Sequence, residues 1–231
     1  MKWLSIATVT AGLAGSAAAQ AESVPYTDAE TGIAFQSYPS ADGVEFRVAL
    51  PATIEAGKPY DVILQVEAPK SLGWIGWAWA GQMTYNPLTI IWANGDQILK
   101  GTGVKGDTLK FTALCKGCSS WTDFTGEPFT VDASQEARFA YAFSANPVAA
   151  PADNGTTFTI HDGVGHWYHD LPGAKSASFA DWVAKNTVGA NGTAPGMNGT
   201  AVLSATRPRG APFRFMERVR RDLGVDARNR A

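Results

Sequence analysis

The sequence predicts an all-β sandwich with one short C-terminal helix and a flexible tail. Three observations predict it. Apolar residues alternate with period two through most of the chain, glycine and proline (24 and 13 of 231 residues) interrupt that alternation at short intervals, and only one stretch of the body shows helical spacing. Val44, Phe46, Val48 and Leu50 share one face of the first clear strand, with Glu45 and Arg47 between them. Tyr60 to Glu67 is the next, ended by Pro69. Ile75 to Thr84 follows, with Trp77 and Trp79 on one face and Trp74 on the opposite one. Leu88 to Ala93 is rich in β-forming residues, and Asn94-Gly95 marks a hairpin turn into Gln97 to Leu99. Leu109 to Leu114, Ala137 to Phe143 and Thr156 to Ile160 complete at least seven strands. Ser176 to Lys185 is the helical stretch, with Phe179, Trp182 and Val183 at helical spacing. Short strands separated by turns point to a sandwich and away from a parallel α/β sheet.

Both ends read differently from this body. Residues 1–19 have the form of a signal peptide: Lys2 is the positive start, Leu4 to Leu13 is mostly apolar, and Ala17-Ala18-Ala19 offers an A-x-A cleavage site. That run is too short to span a bilayer, and no later run is long enough. The mature chain is expected to begin at Gln20 and to be secreted and extracellular, where Asn154, Asn191 and Asn198 are sequons open to glycosylation. The sandwich is expected over 20–186 and a linker with a basic tail over 187–231. Thr187 to Thr200 is mostly Gly, Ala, Asn and Thr with no apolar period, and Met216, Val219 and Leu223 then allow a short amphipathic helix. Arg207 to Ala231 carries eight arginines against three acids, so its +5 leaves −7 on the rest of a chain of net charge −2. An acidic body argues against nucleic acid as a partner, because phosphate binding needs a basic face.

Absences narrow the chemistry. No Gly-rich phosphate loop precedes a helix, and there is no G-x-S-x-G elbow. Cys115 and Cys118 are the only cysteines; in an oxidising compartment they read as a disulfide closing a tight turn, since a zinc site would need two further ligands. The three histidines, His161, His166 and His169, lie within nine residues. On one extended strand His161 and His169 would be roughly 26 Å apart, at about 3.3 Å per residue, and His166 and His169 would face opposite sides. Asp162 to Gly165 reads as a turn, which does not gather the three histidines either. Met83 is the one methionine of the folded body and follows the Gly- and Trp-rich stretch Gly73 to Gln82. Such a methionine ordinarily fills a gap in the core. Glycines beside large aromatics also leave a flat apolar slot that a planar ligand can approach.

Three separated motifs carry a resemblance. The first is Gly81-Gln82-Met83-Thr84 with Ile91-Trp92-Ala93-Asn94-Gly95-Asp96, and the second runs from Thr112 through both cysteines to Trp121. The third is His161-Asp162-Gly163-Val164-Gly165 with Asp170-Leu171, Ala174 and Phe179-Ala180-Asp181-Trp182. In this order, between about Tyr26 and Lys185, they resemble the cytochrome domain of fungal cellobiose dehydrogenases. That is the iron-reductase-type cytochrome family, with a DOMON-like immunoglobulin sandwich.

The resemblance implies haem b, with Met83 and His161 binding the iron from opposite sides and Trp74, Trp77 and Trp79 as candidates for the pocket wall. Covalent attachment would need histidine after the second cysteine, and Ser119 stands there. With both axial positions filled by protein, the resemblance implies single-electron transfer without bond chemistry. The implied donor is a flavin dehydrogenase, and the implied acceptors are a lytic polysaccharide monooxygenase, ferric complexes or quinones. The family often has an aromatic residue where Val164 stands, and His166 and His169 depart from it with no assigned role. There is no dinucleotide fingerprint, so the likeness is to stand-alone members. The residues alone leave two rivals open: a haem-free secreted carbohydrate-binding module whose tryptophans stack on sugar rings, and a hydrolase with an unrecognised carboxylate pair.

Overall fold

The computed structural model describes residues 21–93, 99–153 and 155–187, and the backbone of 200–204. In chain order its strands are β1 (Val24–Thr27), β2 (Ala34–Pro39), β3 (Glu45–Pro51), β4 (Val62–Pro69), β5 (Trp74–Ala78), β6 (Leu88–Ala93) and β7 (Gly103–Lys105). There follow β8 (Thr108–Cys115), β9 (Ser120–Thr122), β10 (Pro128–Thr130), β11 (Glu136–Ser144), β12 (Gly163–Asp170), β13 (Lys175–Ser176), helix α1 (Phe179–Asn186) and β14 (Thr200–Ser204). One sheet has the order β1-β2-β3-β4-β8-β7, with β13 added parallel to β3, and the other has the order β12-β11-β5-β6-β14. β9 and β10 form a separate hairpin.

The two sheets enclose the main core. Val44, Phe46, Val48 and Leu50 meet Trp77, Phe139, Tyr141 and Trp167 from the other side. The face read from alternation is therefore the buried face. Phe46 stacks on Trp167 with ring centroids 4.9 Å apart and meets Trp77 edge-on at 5.4 Å. Aromatic side chains of this size dominate core energetics, and truncating one costs about 3–5 kcal/mol. Helix α1 begins after Ser178 and lays Phe179, Trp182 and Val183 against Ile33, Phe35 and Ile63 on the outer face of the first sheet, as its spacing predicts.

Four details differ from the sequence reading. β5 stops at Ala78 instead of running to Thr84, because Ala80 and Gly81 adopt positive φ (55° and 74°) in a 3-10 turn, Trp79–Gly81. Thr156 to Ile160 forms no strand; it crosses the outer face of the second sheet and packs Phe158 on Trp74 at 5.1 Å. Asp162 to Gly165 is not a turn, since Gly163 opens β12. A Cβ at Gly163 would sit 2.4 Å from the Phe143 ring, and one at Gly165 2.4 Å from Tyr141, so these glycines make room for rings. Within the stretch read as linker and tail, Thr200–Ser204 pairs with β6. The Asn94-Gly95 turn, the asparagines of the three sequons, residues 1–20 and the arginine-rich segment lie outside the described residues.

Candidate functional site

The outer face of the second sheet carries the site. Strand register sets two rows across it: Val164, Ala142, Gly76 and Ile90 in one, and His166, Ala140, Ala78 and Leu88 in the other. Within these two rows the central columns hold only glycine and alanine, and the columns beside them hold bulkier side chains. These rows form a shallow trough of small residues two strands wide along the strand direction, its floor covered by side chains: Ala78 and Ala140 are 5 % and 8 % exposed, and Ile90 and Trp74 pack over Gly76. Its floor is shaped by what glycine lacks, because a Cβ at Gly76 would lie 3.2 Å from Ile90 Cδ1 and 3.4 Å from Trp74 Cζ3. Apolar side chains around it stay in water: Val164 is 55 % exposed, Ile160 67 % and Met83 53 %. Exposed apolar side chains near both ends of this small-residue strip are a feature of surfaces that bind another group.

β5 and β12 run in the same direction, each antiparallel to β11 between them. Met83 follows the far end of β5, and His161 precedes the near end of β12, so the two residues stand at opposite ends of the same trough. The His161 end is fixed by Asp162, whose carboxylate accepts 2.8 Å hydrogen bonds from the Ala145 N–H and the Ser144 hydroxyl. Those bonds hold the Asp162 carboxyl below its usual range. The Met83 end is a short loop in which Asn86 Nδ2 donates to the Gln82 carbonyl at 3.3 Å.

Of the three tryptophans expected at the pocket wall, only Trp74 faces this side. It lies 3 % exposed with Ile90, Trp92 and Val148, and its indole N–H has no partner among the described residues. Trp77 and Trp79 point into the sandwich, stacked at 5.6 Å and 0 % and 2 % exposed, which makes them core residues. The histidines divide as alternation predicts: His166 faces out on β12, and His169 is fully buried between the sheets. Among the described residues no group of three His, Cys, Asp or Glu side chains is placed to hold a metal. Cys115 and Cys118 are disulfide-bonded.

Gly76 and Ala78 lie in the Gly73–Gln82 stretch that the sequence marks as a slot, whereas Ala140 and Ala142 were missed although a signal was present. In Arg138-Phe139-Ala140-Tyr141-Ala142-Phe143 and Trp74-Ile75-Gly76-Trp77-Ala78, small residues alternate with large ones, which is a flattened face written into a strand.

The family model for the cytochrome domain of cellobiose dehydrogenase matches residues 26–101 and 96–181. The chain belongs to this family. Cytochrome domains of the cellobiose dehydrogenase type bind haem b, and the haem-cytochrome, electron-transfer role follows from membership. A solved relative is the cytochrome b domain of pyranose dehydrogenase from Coprinopsis cinerea, with TM-score 0.63, 21 % identity, and 71 % of this chain and 95 % of that one covered. Another is the cytochrome domain of Myriococcum thermophilum cellobiose dehydrogenase, with TM-score 0.59, 21 % identity, and 73 % and 98 % covered. The two confirm the cytochrome-domain sandwich. A curated relative, the pyrroloquinoline quinone-dependent pyranose dehydrogenase of Coprinopsis cinerea, is 23 % identical over 215 residues, 82 % of this chain. The chain spans only 28 % of that relative's length.

The donor set is the part that fits the family's cofactor: Met83 offers a thioether, His161 an imidazole, and Trp74 brings to the same face an indole N–H with no partner among the described residues.

Proposed function

We propose that this chain is a secreted b-type cytochrome domain that relays single electrons, with Met83 and His161 as the axial ligands of its haem. The observation that carries the reading is the trough of the second sheet, with a sulfur donor at one end and an imidazole at the other. Haem supplies a one-electron ferric/ferrous couple when bound, and two protein ligands leave it no open position for substrate. A neutral thioether favours the ferrous state, and so does an apolar floor that disfavours extra charge. Val164, Ile90 and Leu88 exclude water along the flanks, and Trp74 closes the His161 end.

A sugar-oxidising dehydrogenase, flavin- or quinone-dependent, is the proposed donor. This rests on the likeness to dehydrogenase domains and on the pyrroloquinoline quinone-dependent relative. A copper monooxygenase, ferric complexes or quinones are the proposed acceptors. Secretion is supported by the apolar, A-x-A-ended first nineteen residues and by the disulfide. No helix among the described residues is long and apolar enough to cross a membrane. The carbohydrate-binding alternative calls for tryptophan faces open to water, whereas Trp74, Trp77, Trp79, Trp92 and Trp167 are all 3 % exposed or less, and the two partly exposed ones are packed, Trp121 on Phe129 and Trp182 on the outer face of the first sheet.

The test is haem stoichiometry. Chain produced with haem supplied should carry one haem per molecule, extractable into acidified organic solvent because no thioether bond holds it. A colourless product that binds cello-oligosaccharides would contradict the reading.

A further inference from the structure

We propose that Phe124 is a positioning residue for Met83, acting through Tyr85; the inference rests on Met83 being an iron ligand. Met83 sits 53 % exposed in a loop where Asn86 Nδ2 donates to the Gln82 carbonyl at 3.3 Å. Two residues on, Tyr85 takes φ 65°, a left-handed conformation that a bulky residue adopts only when its surroundings hold it there. The Tyr85 ring meets the Phe124 ring at 5.9 Å, tilted by 56°. Both rings stay largely in water, 52 % and 73 % exposed. Their packing therefore serves a local contact rather than the core.

Phe124 arrives on a rigid arm. It sits in the connection between β9 and β10, where Asp123 Oδ1 accepts from the Thr125 N–H at 2.8 Å, the Thr125 hydroxyl at 2.6 Å and the Glu127 N–H at 3.1 Å. Trp121 and Phe129 pack across the two strands at 4.7 Å. At the root, the Cys115–Cys118 disulfide fixes the turn before β9. Ser119, 0 % exposed, accepts from the Tyr60 N–H at 2.7 Å and donates to the Tyr60 carbonyl at 2.9 Å. The arm thus runs from the buried end of β4 to the loop that carries the sulfur. Holding Tyr85 holds the loop, and a held loop keeps the thioether at the trough against competition from other ligands.

The experiment uses the haem-loaded full chain as wild type, Phe124→Ala, Phe124→Trp, Met83→Leu and, as a remote surface control, Val24→Ala. Two readouts are followed: the far-red charge-transfer band of thioether-ligated ferric haem, and the affinity of the ferric protein for added imidazole. Phe124→Ala should keep its haem and its thermal midpoint, weaken the band, and bind imidazole roughly two- to tenfold more tightly, the loss of one aromatic pair. Phe124→Trp should restore both readouts, and Val24→Ala should change neither. If Phe124→Ala matches wild type while Met83→Leu loses the band, the positioning role is wrong and the ligand assignment stands. If Met83→Leu keeps the band, the ligand assignment falls and this inference with it.

Discussion

Trp167 donates its indole N–H to His169 Nδ1 across 3.0 Å, both side chains being buried between the sheets. An Nδ1 that accepts leaves the ring proton on Nε2, which faces the Gln36 backbone but makes no hydrogen bond of good geometry among the described residues. Burial in this apolar setting pushes the His169 pKa down to about 3.

Acid should therefore weaken the fold through this one ring. An unfolded histidine titrates near 6.5, so below that pH the unfolded chain takes a proton that the folded chain refuses. The contribution is complete above about pH 6.5 and is lost as pH falls toward the folded value, at about 1.4 kcal/mol per pH unit. Urea unfolding at pH 7 and pH 5 checks it. His169→Gln, which keeps an acceptor for Trp167, should lose less stability over that interval than wild type, and parallel losses would contradict the assignment.

Arg47 should be the costliest charge to remove. Its side chain is 2 % exposed, it donates to Gln65, Glu45 and Glu67, and it lies 3.8 Å from the Tyr26 ring centroid. The two carboxylates are 39 % and 30 % exposed and can rehydrate, so Arg47→Ala should cost about 2–3 kcal/mol, below the range for a wholly buried pair. Arg47→Lys should recover little, because an ammonium cannot span several acceptors as a planar guanidinium does. Denaturant midpoints measure both.

Gly76 and Gly165 should fail in different ways. Gly76→Leu fills the trough floor, so haem content should fall sharply while the sandwich still forms. Gly165→Ala drives a methyl to within 2.4 Å of the Tyr141 ring inside the core and should cost about 1–3 kcal/mol. Haem per folded molecule and the thermal midpoint of the apoprotein, taken together, separate the two effects.

Period two was enough to place the core. It set Val44, Phe46, Val48 and Leu50 inward and put Trp74 on the face opposite Trp77, and it separated His166 from His169. It did not reveal that Arg47, facing away from that core, is buried, because the cover comes from Tyr26 on a strand that alternation did not mark. It misread Gly163 and Gly165 as turn formers, since a glycine that makes room for a neighbouring ring looks in sequence like one that bends the chain. The two ligand candidates were legible only through the family's motifs. The trough between them emerges from the register of four strands, which no single segment encodes.

The axial ligation itself is tested most directly by absorption spectra, oxidised and dithionite-reduced, of wild type, Met83→Leu and His161→Ala. Wild type should show the sharp reduced bands of six-coordinate low-spin haem. Met83→Leu should retain haem but lose that character in the ferrous state, and His161→Ala should lose haem or hold it weakly. Wild-type spectra from both variants would contradict the account.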